Sequence, residues 1–287
     1  MSAIQPVLEH DWLGASRAAA AALRDILHSA ATRAERVAET GTRGGGGDRT
    51  LVIDADAEDA VFAQLDALHA GGARFTAISE ERGEVDYGTG GAPPLVVIDP
   101  IDGSTNAKRG LPHHALSIAV ADGPTMADVL FAYVYDYGPG EEWHALRGGG
   151  AFLDGAPLAD PPGERHSEDG RLELVAVESS RPEYLAAAAP ALREHVHRVR
   201  AIGSIAVSLC QLADTRVDGM VALWRTRAVD AAAGQLVVRE SGGVVAFAVD
   251  PGVEGLAAPL ADLDARLHLV AARTPESLAR LAELPVA

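Results

Sequence analysis

The stretch of this chain best equipped for chemistry is Leu95-Val96-Val97-Ile98-Asp99-Pro100-Ile101-Asp102-Gly103-Ser104-Thr105-Asn106. It begins with four apolar residues, three of them β-branched, as suits a strand buried on both faces, and then changes character within one residue. Pro100 fixes φ between the carboxylates of Asp99 and Asp102, and Gly103 lets the backbone turn tightly and approach a ligand. Ser104 and Thr105 stand where a helix can begin, so their hydroxyls and N–H groups can face an anion. Acid ligands beside anion donors suggest a metal together with a phosphate. On local chemistry alone, two aspartates capping a turn is the competing reading.

Other acids stand at the ends of apolar runs. Phe75-Thr76-Ala77-Ile78-Ser79 reads as a strand delivering Glu80 and Glu81 at its C-terminal end. Alternation points neighbouring side chains oppositely, so one Glu can reach a metal while the other supports it. Thr50-Leu51-Val52-Ile53 reads as a short strand feeding Asp54, Asp56, Glu58 and Asp59 into a helix with Val61, Leu65 and Leu68 on one face. Acids in a first helical turn also complement the helix dipole. Asp230 stands at the expected N-cap of a short helix ended by Gly242. Carboxylates are hard oxygen donors, which suit Mg²⁺ or Mn²⁺ and disfavour structural zinc. His113 and His114 are expected to pack or face solvent, and Cys210, the single cysteine, to pack in a core helix.

The elements that must position these acids follow from pattern and punctuation. One long amphipathic helix is expected from Pro6 to Glu39, followed by a mobile glycine-rich loop, Thr40 to Asp48. A polar loop from Glu84 to Pro94 precedes the central stretch. Strands are expected at 116–120, 129–135, 142–146 and 151–155, then a Pro- and acid-rich connection at 160–170. The second half offers a strand at 172–177, a helix from Pro182 to Val196 interrupted at Pro190, and a helix carrying Cys210 that Ser204 can cap. Strands at 244–247 and 268–272 and a last helix after Thr274-Pro275 complete the chain. One compact unit of two lobes is expected, 1–165 and 166–287.

With 287 residues and 48% hydrophobic content the chain can bury a sizeable core. A net charge of −17 argues against a general nucleic-acid binder, which needs clustered Lys and Arg. Met1 to Trp12 carries no basic segment followed by an apolar run, and no apolar run approaches the roughly 20 residues of a membrane span. A cytoplasmic protein without membrane or nucleic-acid partners is expected.

The string Asp99-Pro100-Ile101-Asp102-Gly103-Ser104-Thr105-Asn106 resembles the first signature of the inositol monophosphatase family. Asp230-Ala231-Ala232-Ala233-Gly234, closed by Glu240-Ser241-Gly242-Gly243, is similar to its second. Gly47-Asp48-Arg49-Thr50 with Ile53-Asp54 resembles the archaeal-type branch, whose members hydrolyse both inositol phosphates and fructose 1,6-bisphosphate. The resemblance implies an αβαβα sandwich, usually a homodimer, and a phosphomonoesterase using two or three Mg²⁺, with Mn²⁺ as a substitute. It places Glu80, Asp99, the Ile101 carbonyl, Asp102 and Asp230 on the metals, with Glu81 behind Glu80. It assigns Asp54, in preference to Asp56, with Glu80 and Ser104 to orienting the attacking water. It gives substrate contacts to Asp102, Gly103, Ser104, Thr105, Gly203, Ser204 and Asp230.

The implied substrate is a small phosphorylated metabolite, foremost inositol 1-phosphate. Alternatives on the same site are fructose 1,6-bisphosphate, histidinol phosphate and adenosine 3′,5′-bisphosphate. A non-catalytic phosphate-binding member is the competing class. Ala222 stands where family inositol phosphatases carry a Glu, which weakens inositol recognition, while Arg200, Arg225 and Arg227 are candidates to pair with a second phosphate.

Overall fold

The computed structural model describes residues 6–29, 39–43, 49–158, 162–249, 252–263, 265 and 267–285. A 3-10 turn at Pro6–Glu9 leads to α1 (Trp12–Ser29). Asp11 Oδ1 accepts from the Gly14 N–H at 2.8 Å, which caps α1 and starts it later than the helix expected from Pro6. Residues 30–38 lie outside the described residues, and Glu39–Arg43 is a strand, β1, paired antiparallel with β2 (Arg49–Leu51). The Thr40–Asp48 stretch is thus regular in its first part, where Thr40 and Thr42 favour extended backbone, and its Gly44–Asp48 part lies outside the described residues. The helix α2 (Val52–Ala70) starts directly after β2, so Asp54 sits in a first helical turn instead of ending a strand.

Then follow β3 (Thr76–Ser79), β4 (Gly83–Asp86), β5 (Leu95–Asp102), α3 (Ser104–Arg109), β6 (Ala115–Ala121), β7 (Val129–Asp136), β8 (Glu141–Leu146), β9 (Gly150–Leu153) and β10 (Ala156–Pro157), with a 3-10 turn at Met126–Asp128 before β7. The second half contains β11 (Leu172–Glu178), α4 (Pro182–His195), β12 (Val196–Arg200), α5 (Ile205–Ala213), β13 (Gly219–Ala222) and α6 (Ala228–Glu240). It closes with β14 (Val244–Val249), β15 (Gly252–Gly255), β16 (His268–Ala272) and α7 (Pro275–Ala282). Two further expectations change. The polar loop after Glu81 contains β4, an edge strand whose Val85 turns inward between exposed Glu84 and Asp86, too short a pattern to read. The helix α4 runs unbroken through Pro190, which is exposed, so the missing N–H falls on the solvent side.

Among the described residues, eight strands form one sheet in the order β10-β9-β8-β7-β6-β5-β3-β4, and six form another, β12-β11-β13-β16-β14-β15. Strand periodicity sorts their side chains into layers. Val96 and Ile98 of β5, with Leu116, Ile118 and Val120 of β6, pack against Trp12 and Leu23 of α1 and Val61, Phe62 and Leu65 of α2. Leu95 and Val97 face the other way, toward α5 and α6, which also meet Ala176, Met220 and Leu269 of the second sheet. Val175, Val177, Val221 and Val270 turn to α4 and α7. The expected five layers, αβαβα, are observed. Cys210 is fully buried in α5. Among the described residues no helix is long and apolar enough to cross a membrane.

Asp218, which precedes β13, shows how the second sheet is pinned. It is 1% exposed, and its two oxygens accept from the Arg165 N–H and the Leu174 N–H, both at 3.0 Å. Asp218→Ala strands both donors, and a loss of about 2 kcal/mol or more in unfolding free energy is expected from denaturant titration. A loss below about 0.5 kcal/mol, the size of an ordinary surface substitution, would refute this role.

Candidate active site

The site forms where β3 and β5 end side by side. The two strands are parallel, with Ser79 opposite Ile98, so the residues that follow in each, Glu80 and Asp99, emerge together. In β5 the antiparallel pairing with β6 slips between Asp99, opposite Ser117, and Asp102, opposite Ala115. That extra residue is a bulge. Pro100 is tolerated there, and the bulge re-aims the two aspartates. The Ile101 N–H donates to Asp99 Oδ1 at 3.0 Å, which fixes the first of them.

Asp230 arrives from the layer between the sheets. It is the third residue of α6 and not its N-cap, because Arg227 caps the helix and its N–H donates to Asp230 Oδ2 at 3.0 Å. One carboxylate oxygen each from Glu80, Asp99 and Asp230 lies within 4.8 Å of the others. A cavity of about 260 Å³ opens beside Glu80 and Asp99, and Asp54, Glu81, Ile101 and Ser104 also line it. Asp56, the alternative to Asp54, is exposed outside it.

Asp102 is held differently. Its Oδ2 accepts from the Ser204 hydroxyl and from the Ala206 N–H, both at 2.6 Å, at the start of α5. Ser204 also caps that helix, accepting from the Val207 N–H at 3.2 Å, and is 1% exposed. Gly203, at φ 88°, packs against the Asn106 side chain, which leaves no room for a Cβ. Gly203 and Ser204 therefore stand behind Asp102 and outside the lining of the cavity, while Gly103, at φ 87°, is pressed against the Gly203 carbonyl. Thr105 is exposed on α3.

Crowding governs the electrostatics. Burial, and then the charges of Glu80, Asp102 and Asp230, push the Asp99 carboxyl well above its ordinary range. Burial and then Asp230 push Asp102 up to about 8, against the opposing hydrogen bonds from Ser204 and Ala206. Glu80 is raised to about 7 by burial, against the Arg227 charge, with Asp230 adding to the rise. Carboxylates this close and this buried cannot all ionise without positive charge among them. Oxygen donors without Cys or His, held half-buried to buried beside a cavity, fit a hard divalent cation.

Several residues act here that local reading misses. Lys108 lines the cavity with its Nζ 3.6 Å from Asp54 Oδ2. Glu58, 2% exposed, accepts from the Ser79 hydroxyl and the Arg82 N–H and so braces the Glu80-Glu81 turn. Glu178, at the end of β11, accepts from the N–H groups of Ile202 and Gly203 at 3.0 and 2.9 Å and from Ser208 Oγ at 2.7 Å. A lone Glu closing an apolar strand was its only signal. Arg227 reaches Glu80 Oε1 at 2.6 Å. The histidines lie elsewhere: His113 pairs with Asp136 at 2.8 Å, and His114 stacks on Tyr137. Arg200 donates to the Val199 carbonyl, away from the acids.

A model of the inositol monophosphatase family matches residues 8–283. A fructose-1,6-bisphosphatase/inositol-1-monophosphatase of Methanothermobacter thermautotrophicus is 31% identical over 80% of this chain and 80% of its own. An inositol-1-monophosphatase of Mesorhizobium japonicum is 33% identical over 70% of this chain and 73% of its own, and the Escherichia coli Nus factor SuhB is 34% identical over 70% and 72%. A crystal structure of an inositol monophosphatase-fructose 1,6-bisphosphatase superposes with a TM-score of 0.74 at 23% identity, covering 94% of this chain and 98% of that one, so it shares the fold. With signatures, layers and acid cluster in agreement, this chain belongs to the inositol monophosphatase family of phosphatases.

Proposed function

We propose that the chain is a Mg²⁺-dependent phosphomonoesterase of small phosphorylated polyols or sugars, with inositol 1-phosphate as its first substrate. The observation that carries this reading is the joining of Glu80, Asp99 and Asp230 within 4.8 Å beside a cavity that Asp54 and Ser104 line. Glu80, Asp99 and Asp230, with Asp102 and the Ile101 carbonyl at the edge, would hold the cations. Bound divalent cations supply charge neutralisation and a lowered pKa for water at the site.

The remaining steps belong to the chain. Asp54 and the Ser104 hydroxyl orient a water for in-line attack on phosphorus, with Glu80 assisting, and no side chain need be phosphorylated. The first N–H groups of α3 have no carbonyl one turn before them, so Gly103, Ser104 and Thr105 can donate to phosphate oxygens. Lys108 adds a positive charge at the same wall, balancing the anionic ester against the acids. Fructose 1,6-bisphosphate is a second substrate on this reading, supported by the names of the archaeal relatives and by Ala222 in place of a Glu.

Phosphate release from inositol 1-phosphate and fructose 1,6-bisphosphate, with and without Mg²⁺, tests the reading. Asp99→Asn and Asp230→Asn are expected to bring turnover to background in folded protein. Near wild-type release by Asp230→Asn would remove the second signature from the site. Ser104→Thr keeps the hydroxyl and should be tolerated, whereas Ser104→Ala should lose about 10²-fold or more in kcat/KM. Equal activity of the Ala variant would end the assignment of Ser104.

The raised carboxyls also make stability depend on pH. A group whose folded-state pKa is raised keeps a proton that the unfolded chain has already lost. Its contribution is complete below the ordinary pKa and disappears as pH rises through the raised one. The windows run from 3.8 to about 8 for Asp102 and from 4.5 to about 7 for Glu80. The metal-free protein should therefore lose melting temperature across that range, and saturating Mg²⁺ should flatten the curve. A metal-free melting temperature that is constant through the window would contradict the acid crowding.

A further inference from the structure

Arg227 stands among the carboxylates that the proposed function gives to a cation. Its Nη1 is 2.6 Å from Glu80 Oε1, and its Nε is 3.7 Å from Asp230 Oδ1. These are two of the three acids of the close group. The contact joins the first sheet to the helix layer between the sheets, since Glu80 follows β3 and Arg227 opens α6. It is not a surface pair: the side chains of Arg227, Glu80 and Asp230 are 20%, 18% and 13% exposed. The position follows from helix geometry. Arg227 is the N-cap and Asp230 lies one turn into the same helix, so a guanidinium folded over that turn is brought to both acids.

A guanidinium and a divalent cation compete for the same lone pairs. Arg donates to carboxylate oxygens in a planar fork, and any hard cation entering the group must bind those oxygens too. At these separations the two positive charges also repel. We infer that Arg227 is a tethered counter-cation of the acid cluster, which docks on Glu80 and Asp230 in the metal-free protein and must be displaced when a divalent cation enters. Arg227 thereby weakens metal affinity and keeps the metal-free cluster folded. The inference rests on the cation-binding reading of these acids and makes no use of phosphatase activity.

Mg²⁺ titration calorimetry on the metal-stripped full chain tests it, with Arg227→Gln and Arg227→Ala compared with wild type. Both variants are expected to bind Mg²⁺ about tenfold or more tightly. In melting experiments both should fall below wild type without metal and converge with it at saturating Mg²⁺. Unchanged or weaker Mg²⁺ binding in the variants would overturn the inference. So would a melting deficit that persists at saturation, which is the mark of a plain strut between the first sheet and α6.

A third measurement does not depend on how the variants fold. In wild-type protein the Arg227 Nη1–H, which donates to Glu80 Oε1 and is assigned by its loss in Arg227→Lys, should be protected from exchange without metal and become fast-exchanging as Mg²⁺ is added. An Nη1–H that stays protected at saturation would show that the guanidinium never leaves. A wild-type chain that binds Mg²⁺ but releases no phosphate from any ester would remove the phosphatase reading and leave the Arg227 result to stand or fall by itself.

Discussion

Like charges forced together away from water are the constraint that shapes this molecule. Two anions 4 Å apart repel by about 4 kcal/mol even at an effective dielectric of about 20, and burial adds a desolvation cost to each. Glu80, Asp99 and Asp230 meet within 4.8 Å, and the buried Asp102 feels the charge of Asp230. The metal-free chain meets this cost in three ways. Protons are retained on the acids, Arg227 supplies an internal positive charge, and hydrogen bonds from Ser204 and Ala206 are aimed at Asp102.

The same contacts join the two sheets. Asp102 belongs to the first sheet and takes its hydrogen bonds from the start of α5. Asn106, on α3, donates to the Ile202 carbonyl across the same boundary, and Glu178 holds the Ile202 and Gly203 N–H groups from the second sheet. Glycine at 103 and 203 is demanded by this approach, because both have positive φ and a Cβ at either would meet atoms within 3 Å. The turn at 201–204 therefore latches the acid corner. Its side chains reach the chemistry through Asp102.

How much of this was legible in the sequence depended on the range of the interaction. The run Leu95 to Ile98 revealed β5 as a strand buried on both faces because burial there is written in consecutive residues. Likewise the apolar setting of Cys210 disclosed its place in the core. The two aspartates with Pro100 and Gly103 showed the corner, since a turn is local chemistry. Arg227 was not legible in this sense: 147 residues separate it from Glu80, and the sequence offered it only as a candidate to pair with a second phosphate. Lys108, four positions beyond Ser104, was obscured for the same reason, because its partner Asp54 lies on another element. Boundaries failed where two local preferences competed. Asp11 started α1 after Pro6, β1 took the threonines before the glycines, and Arg227 opened α6 three residues ahead of Asp230.

The run Ala231-Ala232-Ala233-Gly234 shows why an acid cluster of this kind needs small residues beside it. The helix α6 lies between the two sheets and is buried continuously from Ala231 to Val238, with α5 alongside. Helices can approach this closely only where side chains are absent at the contact. At Gly234 a Cβ would come within 2.8 Å of Leu209 and 3.3 Å of the Ala206 carbonyl. Ala206 is the residue whose N–H donates to Asp102, so the spacing of α5 against α6 sets the separation of Asp102 from Asp230. A larger residue at 234 would push the helices apart, and the second signature's acid would move with its helix. The small residues that follow Asp230 are thus part of how the acids are brought together.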